Sequence, residues 1–149
     1  MANGRKIIIR SAVEADLPEI KEMVGYLMEV EKSRDILGNV SRIMDERIKP
    51  AFRKSKNRIF IAEREGVFSG FGLVEFPERR VSSLSYIVIR PEFQKYGIGR
   101  KLAKEMIFYA KSKKADIMEV TVDKNNAKSR KFHKGLGFAL SSYLFRKEL

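Results

Sequence analysis

Gln94-Lys95-Tyr96-Gly97-Ile98-Gly99, running into Arg100-Lys101-Leu102, is the stretch on which the reading of this chain turns. Before it, the β-branched run Ile87-Val88-Ile89 ends at Arg90-Pro91 and reads as the close of a strand. After it, Ile98, Leu102, Met106, Ile107 and Ala110 recur at helical spacing as far as Lys114. Two glycines flanking one residue at a helix start let successive backbone N–H groups turn inward with no Cβ in the way. The unpaired amides of a helix N-terminus and its macrodipole favour an anion there. Lys95, Arg100 and Lys101 add positive charge around the turn, so the stretch reads as a phosphate or pyrophosphate cradle. It is neither of two common cradles. A P-loop needs Lys-Ser/Thr after its last glycine, where this chain has Arg100-Lys101, and a dinucleotide fingerprint needs a third glycine where Leu102 stands. An ordinary tight turn is the plain alternative.

The rest of the chain supplies a setting for that turn. Lys6–Arg10 reads as a strand, and Asp16-Leu17-Pro18-Glu19 as a helix start with Asp16 as N-cap and Pro18 in the first turn. Leu17, Ile20, Val24, Leu27 and Met28 carry that helix to about Val30, and a second helix is expected from Val40 to about Phe52. The period then changes. Arg58–Glu63, Val67–Phe76 and Ser83–Ile89 read as antiparallel strands joined by turns at Glu65-Gly66 and Pro77–Arg80. Past the helix that opens at Gly97, Ile117–Val122 is a strand, Ala127–Lys134 a short helix and Phe138–Arg146 a last strand. The order is β-α-α-β-β-β-α-β-α-β, an α/β fold with a central mixed sheet flanked by helices. The strand–helix–strand unit around Gly97 makes its two strands parallel.

One domain over residues 1–149 fits a chain of 149 residues with 44% apolar and 34% charged residues and no linker or repeat. With no cysteine and one histidine, disulfides, a Cys nucleophile and the usual Cys/His metal sites are excluded, so no metal is expected. The apolar run near the start, Ile7-Ile8-Ile9, is too short for a signal peptide, and no run is long enough to span a membrane, so a cytoplasmic setting is expected. The net charge of +12 is uneven. Residues 1–75 hold 14 Lys and Arg against 12 Asp and Glu, residues 76–149 hold 17 against 7, and the second half therefore invites an anionic partner.

A second constellation, Asn125-Asn126-Ala127-Lys128-Ser129-Arg130-Lys131-Phe132-His133-Lys134-Gly135-Leu136-Gly137-Phe138, follows the next strand. Together the two segments resemble the GNAT superfamily of N-acetyltransferases. Gln94 to Gly99 matches that family's Gln/Arg-x-x-Gly-x-Gly/Ala motif, preceded by an apolar strand and Pro91-Glu92-Phe93. Asn126, Ser129, Phe132, Gly137 and Phe138 match its later Asn…aromatic…Gly-Phe pattern. Ile8–Pro18 and the hairpin Phe60–Gly72 are similar as well, so the resemblance covers nearly the whole chain and is weakest over residues 31–57. It implies acetyl-CoA as cosubstrate and a primary amine as acceptor. The backbone of Ile87, Val88 and Ile89 would line the pantetheine arm, the Gln94, Lys95, Tyr96, Gly97, Ile98, Gly99 and Arg100 turn would hold the pyrophosphate, and Asn126 would hydrogen-bond the pantetheine. Asn126 also reads as an N-cap.

The chain departs from the pattern at the proton-transfer residues. Many members of that family have a general-acid Tyr four residues before the glycine of Gly-Phe, and here His133 stands there. An imidazolium is a stronger acid than tyrosine; the alternative is that His133 only fills space and solvent protonates the thiolate. Where some members carry a Glu before the pyrophosphate loop, Val81–Ser85 has none. Another familiar Glu position is Thr121. Glu119 lies on the same strand face two residues earlier and Asp123 two residues later, and Glu75 on the second hairpin strand is a further base candidate. The acceptor stays open among a protein N-terminus, a lysine, a polyamine and a small metabolite, and a homodimer is left open. Two other readings compete. One is a basic RNA- or ribosome-binding module, suggested by aromatics among cations at Phe108–Lys111 and Tyr143–Arg146, although neither stretch forms a nucleic-acid motif. The other is a relative that binds acetyl-CoA but is catalytically weak.

Overall fold

The structure, a computed structural model, describes residues 6–53 and 56–149, so any leader reading of residues 1–5 lies outside the described residues. Its elements are β1 (Ile7–Ser11), α1 (Leu17–Val30), α2 (Ile36–Ile43), α3 (Lys49–Ala51), β2 (Arg58–Arg64), β3 (Val67–Glu78), β4 (Val81–Ile89), α4 (Ile98–Ser112), β5 (Ile117–Glu119) and α5 (Ala127–Gly135). The strands form one sheet in the order β1-β2-β3-β4-β5. The first four run antiparallel, and β5, reached through the α4 crossover, runs parallel to β4. The β2–β3 hairpin turns on Glu65 and Gly66, both at positive φ, the geometry that matches a two-residue turn to the twist of its strands.

The sheet is covered on both faces. Ile20, Met23, Val24 and Met28 of α1, with Val40 and Ile43 of α2, pack on Ile59, Ile61, Phe71, Leu73 and Val88. Ile98, Leu102, Ala103, Met106 and Tyr109 of α4 cover Phe60, Ala62, Val74 and Leu84 on the other face. Continuous burial of Ile59 to Ala62 follows, because successive strand residues point to opposite and equally covered faces. The Met106 sulfur sits 2.5 Å from where a Cβ on Gly72 would be, so that glycine sets how closely α4 approaches β3.

Four expectations change. The second helix starts earlier, at Ile36, because Asp35 accepts a hydrogen bond from the Gly38 N–H (3.1 Å) and caps it. It then widens into a π-helical turn at Met44–Ile48 that delivers Pro50 to a fresh first turn, where its missing N–H costs nothing. β5 stops at Glu119 rather than Val122, since its ladder with β4 ends at the Ser83–Glu119 pair. Phe138–Arg146 forms no strand; no ladder partner lies beside it.

Asp16 also behaves differently from a helix cap. Its carboxylate turns back to accept from the Val13 N–H (2.8 Å) and, through both oxygens, from Arg10 (2.8 and 2.9 Å), while Arg10 also reaches Glu63 (3.1 Å). The Arg10 hydrogen bonds hold the Asp16 carboxyl below its ordinary range against the opposing effect of burial. Asp16→Asn is expected to cost about 2 kcal/mol at neutral pH, less than a fully buried pair because Arg10 is partly exposed. A carboxyl whose pKa is lowered by folding stabilises above its unfolded value of about 3.9 and loses that contribution as pH falls through the folded value. Urea unfolding should therefore show the gap between parent and variant closing below about pH 4.

Candidate functional site

The ladder between β4 and β5 covers only Val81–Ser83 against Ile117–Glu119. From Leu84 to Ile89 the outer edge of β4 has no strand beside it among the described residues, because β5 ends at Glu119. Along that edge the peptide groups alternate. The Arg90 N–H donates to the Ser69 carbonyl (2.8 Å), so Val88 also turns its backbone toward β3, and Ile87 and Ile89 turn theirs to the open edge. Of the three strand residues singled out in the sequence, Ile87 and Ile89 thus offer free backbone groups. The Ile89 carbonyl already accepts from the Gln94 side-chain amide (3.1 Å). That bond ties the start of the loop to the strand end.

The edge leads into the glycine turn. After a single 3-10 turn at Pro91–Phe93, the chain reaches Gly97 with φ of 72°, in the left-handed region where a side chain is strained. Gly97 is the N-cap of α4, and no side chain caps the helix; Lys101 is the first residue whose amide turns back, to the Gly97 carbonyl (3.2 Å). The amides of Gly97 to Arg100 are therefore left pointing out of the helix start. Gly99 has ordinary φ, and a Cβ there would meet only Ile89 and the Phe132 ring, at 3.7 Å. Arg64 stacks 3.6 Å from the centre of the Tyr96 ring and steadies the loop. Lys95 and Arg100 are exposed beside it.

Near the end of β4 stands α5, whose Phe132 and the Ile89 side chain both lie 3.7 Å from where a Gly99 Cβ would be. Asn126 is its N-cap: the side-chain oxygen accepts from the Ser129 N–H (3.0 Å), and the amide nitrogen, with no protein partner among the described residues, is left to donate. His133 is buried, with edge-on contacts to Phe132 (5.1 Å) and Phe138 (5.6 Å). Its Nδ1 lies 2.8 Å from the Ser129 carbonyl, which can only accept, so Nδ1 carries the proton. Nε2 is, among the described residues, the buried side-chain polar atom without a hydrogen-bond partner.

The base candidates lie on the two strands beside Ser83 of β4, Glu75 on β3 and Glu119 on β5. The β3–β4 register slips between Leu73–Tyr86 and Val74–Leu84, which leaves Ser85 as the extra residue of a bulge. Ser85 donates to Glu75 (2.5 Å), and Arg47 grips the same carboxylate through Nε (3.0 and 3.2 Å) and its terminal nitrogen. Glu119 is exposed on β5, opposite Ser83. The structure thus brings Glu75 to the bulge already engaged by Arg47 and Ser85, and Glu119 to the rim. Sequence reasoning passed over Arg47, Tyr86 and Glu31. Burial pushes the Tyr86 phenol up, opposed by Arg47, whose guanidinium stands 5.3 Å from the ring centre. Desolvation raises the Glu31 carboxyl, and the charge of Asp123 raises it further. A signal for Glu31 was available: an acid at the C-terminal end of α1 sits where the helix dipole disfavours negative charge.

A separate pocket lined by Ser11, Phe52, Arg53 and Arg58 shares no residue with this cleft. Among the described residues no cluster of three His, Asp or Glu is placed to hold a metal ion, and no helix is long and apolar enough to cross a membrane.

Comparisons with known proteins agree with this geometry. A curated protein of Archaeoglobus fulgidus, described as an uncharacterized N-acetyltransferase, is 27% identical over 86 residues. That match takes in 54% of this chain and 58% of the relative, so it spans little more than half of the relative's length. Among solved structures, a putative acetyl transferase from Pyrococcus furiosus superposes with a TM-score of 0.79 at 15% identity, covering 97% of this chain and 100% of that one. The aminoglycoside N-acetyltransferase AAC(6')-Iy in complex with CoA superposes with a TM-score of 0.73 at 19% identity, covering 98% and 96%. At such identities these likenesses establish the fold. The sequence model of the acetyltransferase (GNAT) family matches residues 23–138, from the middle of α1 through the glycine turn to Phe138, and the chain belongs to that family.

Proposed function

We propose that this chain transfers an acetyl group from acetyl-CoA directly to a primary amine, both bound at once, in a cytoplasmic setting. The observation that carries the reading is the open edge of β4 running into an uncapped helix start at Gly97–Arg100. The residues fit the cosubstrate. The outward amides of Gly97, Ile98, Gly99 and Arg100, with Lys95 and Arg100 beside them, suit a pyrophosphate. The backbone groups of Ile87 and the Ile89 N–H, turned to the open edge, suit the amide-bearing pantetheine arm, and the Asn126 side-chain amide nitrogen is left to donate to it. When bound, acetyl-CoA supplies an activated thioester. The protein holds the acceptor in line with it, which removes much of the entropic barrier, and the Ile87 amide, next to the bulge, faces the carbonyl oxygen as charge develops there.

An amine must be neutral to attack. Glu119 at the rim and Glu75 at the bulge receive its proton through water, Glu75 through the hydroxyl of Ser85. His133, one ring away from Gly99 through Phe132, is the candidate donor to the departing thiolate, through Nε2, the ring nitrogen without a protein partner among the described residues. Glu31 and Glu75 beside Tyr86, with Asp123 near Glu31, gather negative charge in an otherwise basic chain and favour a cationic acceptor. The class stays at amines of proteins, polyamines or small metabolites; among the fold neighbours, one is titled an aminoglycoside acetyltransferase in complex with sisomicin. The step as drawn uses no metal.

Calorimetric titration of acetyl-CoA at moderate salt, followed by thiol release with a panel of amines, tests the proposal. One saturable site is expected, with release that depends on the amine. Heats that never saturate would overturn it, and binding that instead collapses steeply with salt and responds to RNA would favour the nucleic-acid reading.

A further inference from the structure

Among the described residues the buried polar or charged side chains are Asp16, Arg64, Ser69, Ser82 and His133. Asp16 is held by Arg10 and the Val13 N–H, and the Ser69 and Ser82 hydroxyls donate to the Val67 (2.9 Å) and Ile117 (2.8 Å) carbonyls. His133 keeps one hydrogen bond, through Nδ1. Arg64 is 8% exposed, and among the described residues its guanidinium has neither an ion pair nor a hydrogen bond. A buried cation without an anion is costly, and folded chains pair such charges. What Arg64 does meet is the Tyr96 ring, whose centre lies 3.6 Å from the guanidinium carbon. At that separation the two groups stack, which offsets part of the cost and leaves the N–H groups around the guanidinium rim free to donate.

The free donors stand at the glycine turn. Tyr96 directly precedes Gly97, whose amide is the first of those that point out of the α4 start. Arg64 closes β2 opposite Ile7 of β1, and the Ile7 carbonyl accepts from Lys101 in the first turn of α4 (3.2 Å). The end of β2 therefore lies beside the start of α4. We propose that Arg64 is a further cosubstrate-binding residue, its guanidinium donating to the phosphates that the Gly97–Arg100 amides hold. This rests on the acetyl-CoA reading above, and the bound pyrophosphate is the counter-ion that the buried cation lacks within the chain. Arg64 differs from the exposed Lys95 and Arg100 beside the loop. Burial and the stack fix its fork before the ligand arrives, so little side-chain freedom remains to be lost on binding.

Calorimetric titration of acetyl-CoA and, separately, of inorganic pyrophosphate into the parent and Arg64→Met tests this, with urea unfolding of both proteins alongside. Methionine keeps a long apolar side chain against Tyr96 and removes the charged fork. Both dissociation constants are expected to rise about 10- to 100-fold, the range for hydrogen bonds to charged groups. The urea midpoint should hold or rise, because an unmatched buried charge is gone. Arg64→Lys, which keeps the charge without the fork, should bind with intermediate strength. A lower midpoint in Arg64→Met, with or without weaker binding, would overturn the proposal, because Arg64 would then be a prop for the loop. Unchanged constants would overturn it as well, and so would weaker acetyl-CoA binding with pyrophosphate binding intact. A parent that binds pyrophosphate but not acetyl-CoA overturns the cosubstrate reading alone, and the pyrophosphate constant of the variant still decides the role of Arg64. A parent that binds neither overturns both.

Discussion

Gly99→Trp abolishes saturable binding of acetyl-CoA and leaves the protein folded: this is the largest effect expected from a single substitution in the cleft. The space around Gly99 decides the matter. A Cβ there would touch Ile89 and the Phe132 ring at 3.7 Å, an ordinary contact, so the fold does not demand glycine. Gly99→Ala should accordingly keep both fold and binding. An indole needs far more room and finds it only between β4 and α5, in front of the outward amides of α4. Gly97 differs: its φ of 72° charges any side chain about 1–2 kcal/mol of strain, so changes there mix stability with binding. For Gly99→Trp the dissociation constant should rise more than about 100-fold, equivalent to about 2.7 kcal/mol. An unchanged constant by calorimetry, with circular dichroism matching the parent, would show that the glycine turn is not the pyrophosphate cradle.

Much of this cleft was legible before any coordinates. Gly97 announces itself because few other residues permit a left-handed N-cap, Gly99 because no large side chain then stands before the amides, and the apolar spacing from Ile98 to Ala110 fixes which face of α4 meets the sheet. What sequence cannot give is pairing. Ile117–Val122 and Phe138–Arg146 have strand-like composition, yet a ladder needs a neighbour; the first loses its partner at Glu119, and the second has none among the described residues. The bulge at Ser85 is equally silent, since nothing in Leu84-Ser85-Tyr86 shows that one residue will be left over when β3 and β4 align. Asp16 failed for a different reason. Its sequence fits an N-cap, but Arg10 and the Val13 amide, both on the far side of the turn, compete successfully for its oxygens.

His133→Phe is expected to raise stability and lower turnover together, and the combination is the informative result. In the parent, Nδ1–H is spent on the Ser129 carbonyl and Nε2 is buried without a partner among the described residues, in a ring edge-on to Phe132 and Phe138. A buried polar atom left unmatched costs about 1–3 kcal/mol, and phenylalanine removes it while keeping an edge-on ring among Phe132 and Phe138. Part of that gain is lost with the Nδ1 hydrogen bond, leaving a net rise of about 1 kcal/mol in urea unfolding. A chain that tolerates such a defect gains by it elsewhere, and the histidine stands where relatives in its family carry their acid. Loss of a positioned acid lowers turnover by about 100-fold or more. His133→Tyr, which returns a hydroxyl to the same place, should recover most of the rate. Turnover at the parent level in the phenylalanine variant would reduce His133 to a packing residue, and a fall in stability would show that Nε2 has a partner in solution after all.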